Sequence, residues 1–164
     1  MKYLYVFAAL SFLSSCGVYS FTGVTIPAEA ETFSVQYFRV NAPLADPNYG
    51  QLLTEGLKDL ILQQSRLDLT KTEGDLQFDG YVKEYRVNTS AATGEETASL
   101  NRLTISIVVT YENVFNEEDN FEQTFTRFVD FNANEEFDSI EEGLIEEIND
   151  QLLQDIFDKS LGNW

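Results

Sequence analysis

The chain of 164 residues contains no histidine and a single cysteine, Cys16. Without histidine it cannot build a histidine-based triad or a histidine-ligated zinc site, and a lone cysteine excludes an intrachain disulfide. Basic residues are also scarce, because 10 Lys and Arg stand against 28 Asp and Glu, for a formal net charge of −18. Nucleic acids are bound through Lys and Arg, so this charge argues against a nucleic-acid partner. There is no glycine-rich phosphate loop either, and we expect no catalytic residue, no cofactor and no bound metal.

The N-terminus carries a short apolar segment that ends at the cysteine. Lys2 gives it a positive start, residues 3–12 are apolar but too few to span a bilayer, and Leu-Ser-Ser-Cys closes it at Cys16. This pattern is typical of a bacterial lipoprotein signal, in which the thiol receives a diacylglyceryl group and the preceding residues are removed. The alternative is an ordinary secretory signal with an incidental cysteine. We predict a signal peptide over 1–15, a lipidated lead segment over 16–31 and one domain over 32–164.

Hydrophobic periodicity predicts an α+β domain with the element order β-α-β-β-β-α. Alternating residues over 32–40 predict a first strand, and apolar stripes over about 47–65 and 139–160 predict two amphipathic helices. A change of apolar parity at 84–87 indicates a bulge, and residues 88–99 are expected to form a long hairpin loop. The three later strands are centred on 76–87, 103–111 and 121–131. Together the elements predict a two-layer sandwich, a four-stranded mixed sheet with two helices on one face.

Capping residues suggest where the helices begin. Asp46 and Pro47 have the chemistry of an N-cap followed by a first helical proline, and Ser139 with Glu142 has the capping-box spacing. Gly56 lies inside the first helix, where it costs about 1 kcal/mol relative to Ala unless close packing uses it.

The sheet face opposite the helices is predicted to be polar but uncharged. A solvated face and a face covered by the β-structure of another protein are equally good interpretations. The residues expected on it are Thr104, Ser106, Val108, Thr110, Thr124, Thr126 and Phe128.

Several short segments, taken together, resemble the LptE family of lipopolysaccharide-assembly lipoproteins. The lipobox is followed by GVYSFTG at 17–23, IP at 26–27, TFSVQYF at 32–38, GDLQFDG at 74–80, NRLTI at 101–105 and the C-terminal residues 155–164. The resemblance covers essentially the whole mature chain. It implies a non-enzymatic, periplasm-facing lipoprotein of the outer membrane, which lies inside the lipopolysaccharide-translocon barrel LptD, plugs it, helps it to assemble and binds lipopolysaccharide.

Other functions stay open beside this one. The chain could be a periplasmic lipoprotein that carries another lipid or protein cargo, an adaptor of a different outer-membrane barrel, or a carboxylate-dependent hydrolase. The hydrolase would need two acids in one pocket with shifted pKa values.

Three basic residues are candidates for contact with lipopolysaccharide or with the barrel. The resemblance implies basic side chains against the phosphates, and antiparallel pairing across the 88–99 loop would bring Arg86 and Arg102 together, with Lys83 further along. We favour the alternative that the two arginines neutralise nearby acids, which are Glu84, Glu95 and Glu96.

An acidic stretch between Asp130 and Glu141 has oxygen-bearing residues in the spacing of a calcium loop. Its sixth position, however, is Glu135 instead of the glycine that such loops need for their sharp turn. We favour a simple acidic loop, whose carboxylates stabilise the N-terminus of the following helix. The residues in the calcium spacing are Asp130, Asn132, Asn134, Glu136, Asp138 and Glu141.

Overall fold

The computed structural model describes residues 26–90 and 100–162. The predicted signal peptide, Cys16 and the first part of the lead segment lie outside this described part, as do Glu95 and Glu96. The elements are β1 Thr32–Val35, β2 Arg39–Val40, α1 Tyr49–Gln64, β3 Asp68–Leu69, β4 Leu76–Ser90, β5 Leu100–Asn113, a 3₁₀ turn Glu117–Asp119, β6 Phe121–Asn132 and α2 Phe137–Leu161.

The strands form one mixed sheet in the order β3-β1-β4-β5-β6, with β2 also paired to β4. β1 and β2 both run parallel to β4, whereas β4–β5 and β5–β6 are antiparallel. The predicted first strand is therefore present but interrupted. At the interruption the Phe38 amide donates to the Thr54 hydroxyl of α1 at 3.0 Å instead of to β4. This break and the short β3 raise the count from the predicted four strands to six.

The predicted α+β class is confirmed, and both helices cover the same face of the sheet. On β5 the alternate residues from Leu103 to Tyr111 share one apolar cluster with Leu53, Leu57, Ile148 and Leu152 of the two helices. Val108, between them in sequence, is buried but does not belong to that cluster. The sheet therefore has one face under the helices and one face without them.

The long β4–β5 hairpin differs from its prediction at one end. The predicted irregularity is real, since the register shifts between Val82 and Glu84 and leaves Lys83 at the bulge. The predicted start of the loop at Asn88 is wrong, because pairing continues until Ser90 lies opposite Leu100. Cross-strand hydrogen bonds thus extend β4 through a polar stretch with weak intrinsic strand preference.

Both predicted helix starts are wrong in detail. α1 begins at Tyr49 after Asn48, and the Asp46 carboxylate instead accepts a hydrogen bond from the Asn48 amide at 2.7 Å in the preceding turn. α2 begins at Phe137, so Ser139 lies within its first turn and donates to the Glu136 carbonyl. Phe137 packs against Phe131 of β6, and this tertiary contact extends the helix beyond the position that the capping pattern indicated.

The two helices contact each other through a glycine and a buried hydrogen bond. A Cβ atom on Gly56 would lie 2.7 Å from Leu153 Cδ1, so the glycine allows α1 and α2 to approach closely. The Tyr49 hydroxyl donates to Asn149 Oδ1 at 2.5 Å, and both side chains are buried. Close packing therefore uses Gly56, which is the condition that offsets its cost inside the helix.

Candidate functional site

The sheet face that the helices leave uncovered, here called the open face, is the first candidate site. Its centre lies on β5, where Thr104, Ser106 and Val108 have exposed fractions of 9%, 4% and 5%. The strand register explains this burial, because each lies between a residue of β4 and a residue of β6: Arg86 and Phe128, Glu84 and Thr126, and Tyr81 and Thr124. Side chains of β4 and β6 therefore shield these three β5 residues from solvent, although no helix covers this face.

A hydrogen-bonded row crosses the middle of the open face. Ser106 Oγ lies 2.8 Å from Thr126 Oγ1 and donates to Glu84 Oε2 at 3.3 Å. Glu84 also binds Arg86, whose Nη1 lies 3.0 Å from Glu84 Oε1. The prediction that this face is uncharged is therefore wrong. The sequence periodicity of β5 showed only hydroxyls and Val108, whereas the charges come from its neighbours.

An arginine at one end of the open face is held by an acid and an aromatic ring. Arg102 forms a two-point contact with Asp130, from Nε to Oδ1 at 2.6 Å and from Nη2 to Oδ2 at 2.8 Å. Its guanidinium carbon lies 3.7 Å from the centre of the Phe128 ring. The hydrogen bond from Arg102 lowers the pKa of Asp130 and, in turn, raises the pKa of Arg102. Phe128 is nevertheless 49% exposed, so the cluster leaves an aromatic surface in solvent.

At the opposite end of the open face, another arginine also lies near an acid and an aromatic ring, but at longer distances. Arg39 Nη2 lies 3.4 Å from Asp79 Oδ2, and its guanidinium carbon is 6.0 Å from the Tyr81 ring centre. Both partners are well exposed, which makes this a weak surface pair.

The structure brings two of the three predicted basic residues onto one face. Arg86 is opposite Thr104, and Arg102 is opposite Asn88, so the arginines are diagonal neighbours across β4 and β5. Both carry acidic partners, as the favoured alternative required. Glu84 was among the partners named from the sequence, but Asp130 was not. Counting nine residues outward along each strand from the Tyr111–Phe121 pair places Asp130 opposite Arg102.

Lys83 occupies the bulge on β4 and forms no ion pair within 26–90 and 100–162.

The calcium-loop residues do not converge on one point. Asp130 binds Arg102, and Glu141 accepts a hydrogen bond from Tyr85 Oη at 2.5 Å. The carboxylate of Glu135 accepts from the Asn132 amide at 3.1 Å. In the described residues no three His, Cys, Asp or Glu side chains are grouped so that they could hold a metal ion.

A comparison with protein-family models shows which family the chain belongs to. The model of the family described as LptE, lipopolysaccharide-assembly, matches residues 30–160. The chain belongs to the LptE family. The family consists of non-enzymatic lipoproteins of lipopolysaccharide assembly. Membership supports a role in lipopolysaccharide assembly for this chain. No curated protein matches the chain in sequence.

Solved structures of low sequence identity share the fold. The PelC dodecamer from Paraburkholderia phytofirmans has 10% identity and a TM-score of 0.51, over 85% of this chain and 95% of that chain. Protein XCC0632 from Xanthomonas campestris has 12% identity and a TM-score of 0.50, over 82% and 87%. A minor lipoprotein from Acinetobacter baumannii has 14% identity and a TM-score of 0.49, over 81% and 97%. The first two support the α+β fold of this LptE-family chain.

Among the residues that the structure describes, no helix has both the length and the apolar character needed to cross a membrane.

Proposed function

We propose that this LptE-family protein is anchored to the outer membrane through lipidated Cys16 and is the plug and assembly partner of the barrel LptD. The family match over residues 30–160 is the observation that carries this proposal. In it, residues 1–15 are removed as a signal peptide, residues 16–31 connect the anchor to the domain, and residues 32–164 form the plug. Tethering two partners to one membrane raises the effective concentration of each around the other.

The open face is the surface that we propose for the barrel contact. It combines hydroxyl side chains with the half-exposed Phe128 ring, so a partner can bury apolar area and still satisfy polar groups. Aromatic residues and arginines are also the side chains that most often dominate binding energy at protein interfaces. The Arg102–Phe128–Asp130 cluster supplies both types, already held in one geometry.

The three basic residues are not equivalent as contacts for the phosphates of lipopolysaccharide. Arg102 would have to give up two short hydrogen bonds to Asp130, whereas Arg86 has an acidic contact of 3.0 Å, to Glu84, in an exposed position. In the described residues Lys83 forms no ion pair, so it would not have to break one in order to bind a phosphate. We therefore propose Lys83 and Arg86 as the phosphate contacts and Arg102 as a barrel contact.

Co-purification from solubilised outer membrane tests the barrel proposal. The wild-type protein should co-isolate with one large β-barrel, and Arg102→Ala should weaken that association. The chain offers a matched control in Arg127, which binds Asp155 through the same two-point geometry at 2.6 Å but lies on the helix side of the sheet. The Arg127→Ala variant should still co-isolate with the barrel. If no barrel is recovered, the cargo-carrier alternative is favoured. Equal losses in both variants would reject the open face as the contact.

Lipopolysaccharide binding is tested with charge reversals. Lys83→Glu with Arg86→Glu should weaken capture of lipopolysaccharide by the purified protein, because two phosphate-directed cations become anions. Lys71→Glu with Lys159→Glu changes the net charge by the same amount at other exposed sites and should have less effect. Similar weakening by both pairs would mean that only overall charge matters. Unchanged binding in the first pair would reject these contacts.

A further inference from the structure

The two helices enclose a groove on the side of the molecule away from the open face. It has a volume of about 590 Å³ and lies between the first half of α1 and residues 138–153 of α2. Its lining includes the apolar side chains of Leu52, Ile145 and Leu153, here called the floor, and the acidic side chains of Asp138, Glu142 and Glu146, here called the rim. We call it the interhelical groove.

The apolar floor of this groove is open to solvent. Leu52 is 52% exposed, whereas Leu53 and Leu57 of the same helix are buried. Gly56 and Leu153 both line the groove at the point where the two helices pack closely, because a side chain on Gly56 would collide with Leu153. An exposed apolar surface inside a concave site, bordered by polar residues, is the usual form of a binding groove.

The rim is acidic and lacks compensating charge. Asp138, Glu142 and Glu146 are exposed, and in the described residues none of them belongs to an ion pair. In the part of the chain that the structure describes, no Lys or Arg lines the groove. A ligand that fits both features must therefore bring apolar groups to the floor and positive charges to the rim.

We propose that the interhelical groove docks a basic amphipathic segment of a partner protein. A helical segment presents apolar residues at spacings of three and four on one side and basic residues on its flanks, which matches an apolar floor between acidic rims. Attraction between the rim and the segment would guide association, and the floor would contribute the buried area. This inference does not depend on the LptD proposal, because it concerns the opposite side of the molecule and its test contains no barrel.

Binding of a defined peptide tests the proposal. The mature lipidated protein is placed in nanodiscs of zwitterionic lipid, and a fluorescent amphipathic Lys/Leu helical peptide is titrated against it, with empty nanodiscs as background. We expect saturable binding to the wild-type protein and much weaker binding of the corresponding Glu/Leu peptide. Failure of the Lys/Leu peptide to bind above background would overturn the inference.

Two pairs of matched variants locate the peptide. Glu142→Gln with Glu146→Gln removes two rim charges, whereas Glu117→Gln with Glu118→Gln removes two exposed charges at the β5–β6 turn. Leu52→Asn changes the floor, whereas Leu62→Asn changes a leucine of α1 that is 45% exposed and does not line the groove. Each groove variant should weaken binding roughly three- to tenfold and each control by less than about twofold. Equal effects of groove and control variants would show diffuse charge attraction only, and would reject the groove.

Discussion

The buried hydrogen bond between the two helices leads to a quantitative prediction. Tyr49 and Asn149 have exposed fractions of 4% and 6%, and the tyrosine hydroxyl donates to Asn149 Oδ1 at 2.5 Å. Burial raises the pKa of Tyr49, so its hydroxyl stays protonated and keeps this donor across the ordinary pH range. Tyr49→Phe removes the donor and changes little else in shape.

The expected loss follows from the surroundings of Asn149. A buried acceptor left without its donor costs about 1–3 kcal/mol in the free energy of unfolding. Asn149 lines the interhelical groove, so water can partly replace the lost hydroxyl. We therefore expect the lower half of that range, about 1–2 kcal/mol, which corresponds to a melting temperature roughly 4–8 °C lower for a domain of this size.

Urea and thermal unfolding of the purified protein, followed by circular dichroism, measure the change. Tyr37→Phe is the control, because Tyr37 is 53% exposed and its hydroxyl lies 3.4 Å from the Pro47 carbonyl, so less than about 0.5 kcal/mol should be lost. Asn149→Ala, alone and with Tyr49→Phe, completes a double-mutant cycle that should give a coupling of about 1 kcal/mol. The reasoning is refuted if Tyr49→Phe costs no more than Tyr37→Phe, or if the single effects simply add.

Three further outcomes are expected. Gly74→Ala should destabilise the domain strongly, because its Cβ would lie 2.5 Å from the Phe33 carbonyl carbon, whereas Gly143→Ala meets nothing within 4 Å and should be neutral or stabilising; urea midpoints compare them. Asp75 accepts three hydrogen bonds that lower its pKa, so its stabilisation is present above about pH 4 and lost on further acidification. The stability deficit of Asp75→Asn should therefore shrink as pH falls, and a constant deficit would contradict this. Cys16→Ser should abolish lipid attachment, which mass spectrometry of the purified protein detects directly.

Strands with clean alternation were predictable from the sequence, and their irregular ends were not. The apolar alternation of β5 identified which of its residues face the helices, because side chains in a strand point to opposite faces in turn. The end of β4 depends on pairing between Asn88–Ser90 and Leu100–Arg102, which local propensity does not encode. The helix starts failed for a similar reason, since the packing of Phe137 on Phe131 outweighed the capping pattern at Ser139.

The candidate sites were only partly predictable. The sequence placed Arg86 and Arg102 on neighbouring strands and suggested that acids neutralise them, and the register confirms that both lie on one face. It did not identify the contacts of Arg102 on β5 with Phe128 and Asp130 on β6; Asp130 lies 28 residues further along the chain than Arg102. The interhelical groove was missed completely, because it depends on how two helices far apart in the chain approach each other.

By itself, the sequence determined the α+β class, the order of the main elements, the face of β5 that enters the core and the resemblance to LptE. These properties depend on residue type and short-range spacing, which any stretch of chain carries on its own. Only the tertiary structure decided the contacts of Arg102 with Phe128 and Asp130, the break between β1 and β2, and the groove beside Gly56. Each of these results from contacts between segments that are distant in sequence, and burial and hydrogen bonding select among the arrangements that local patterns leave open.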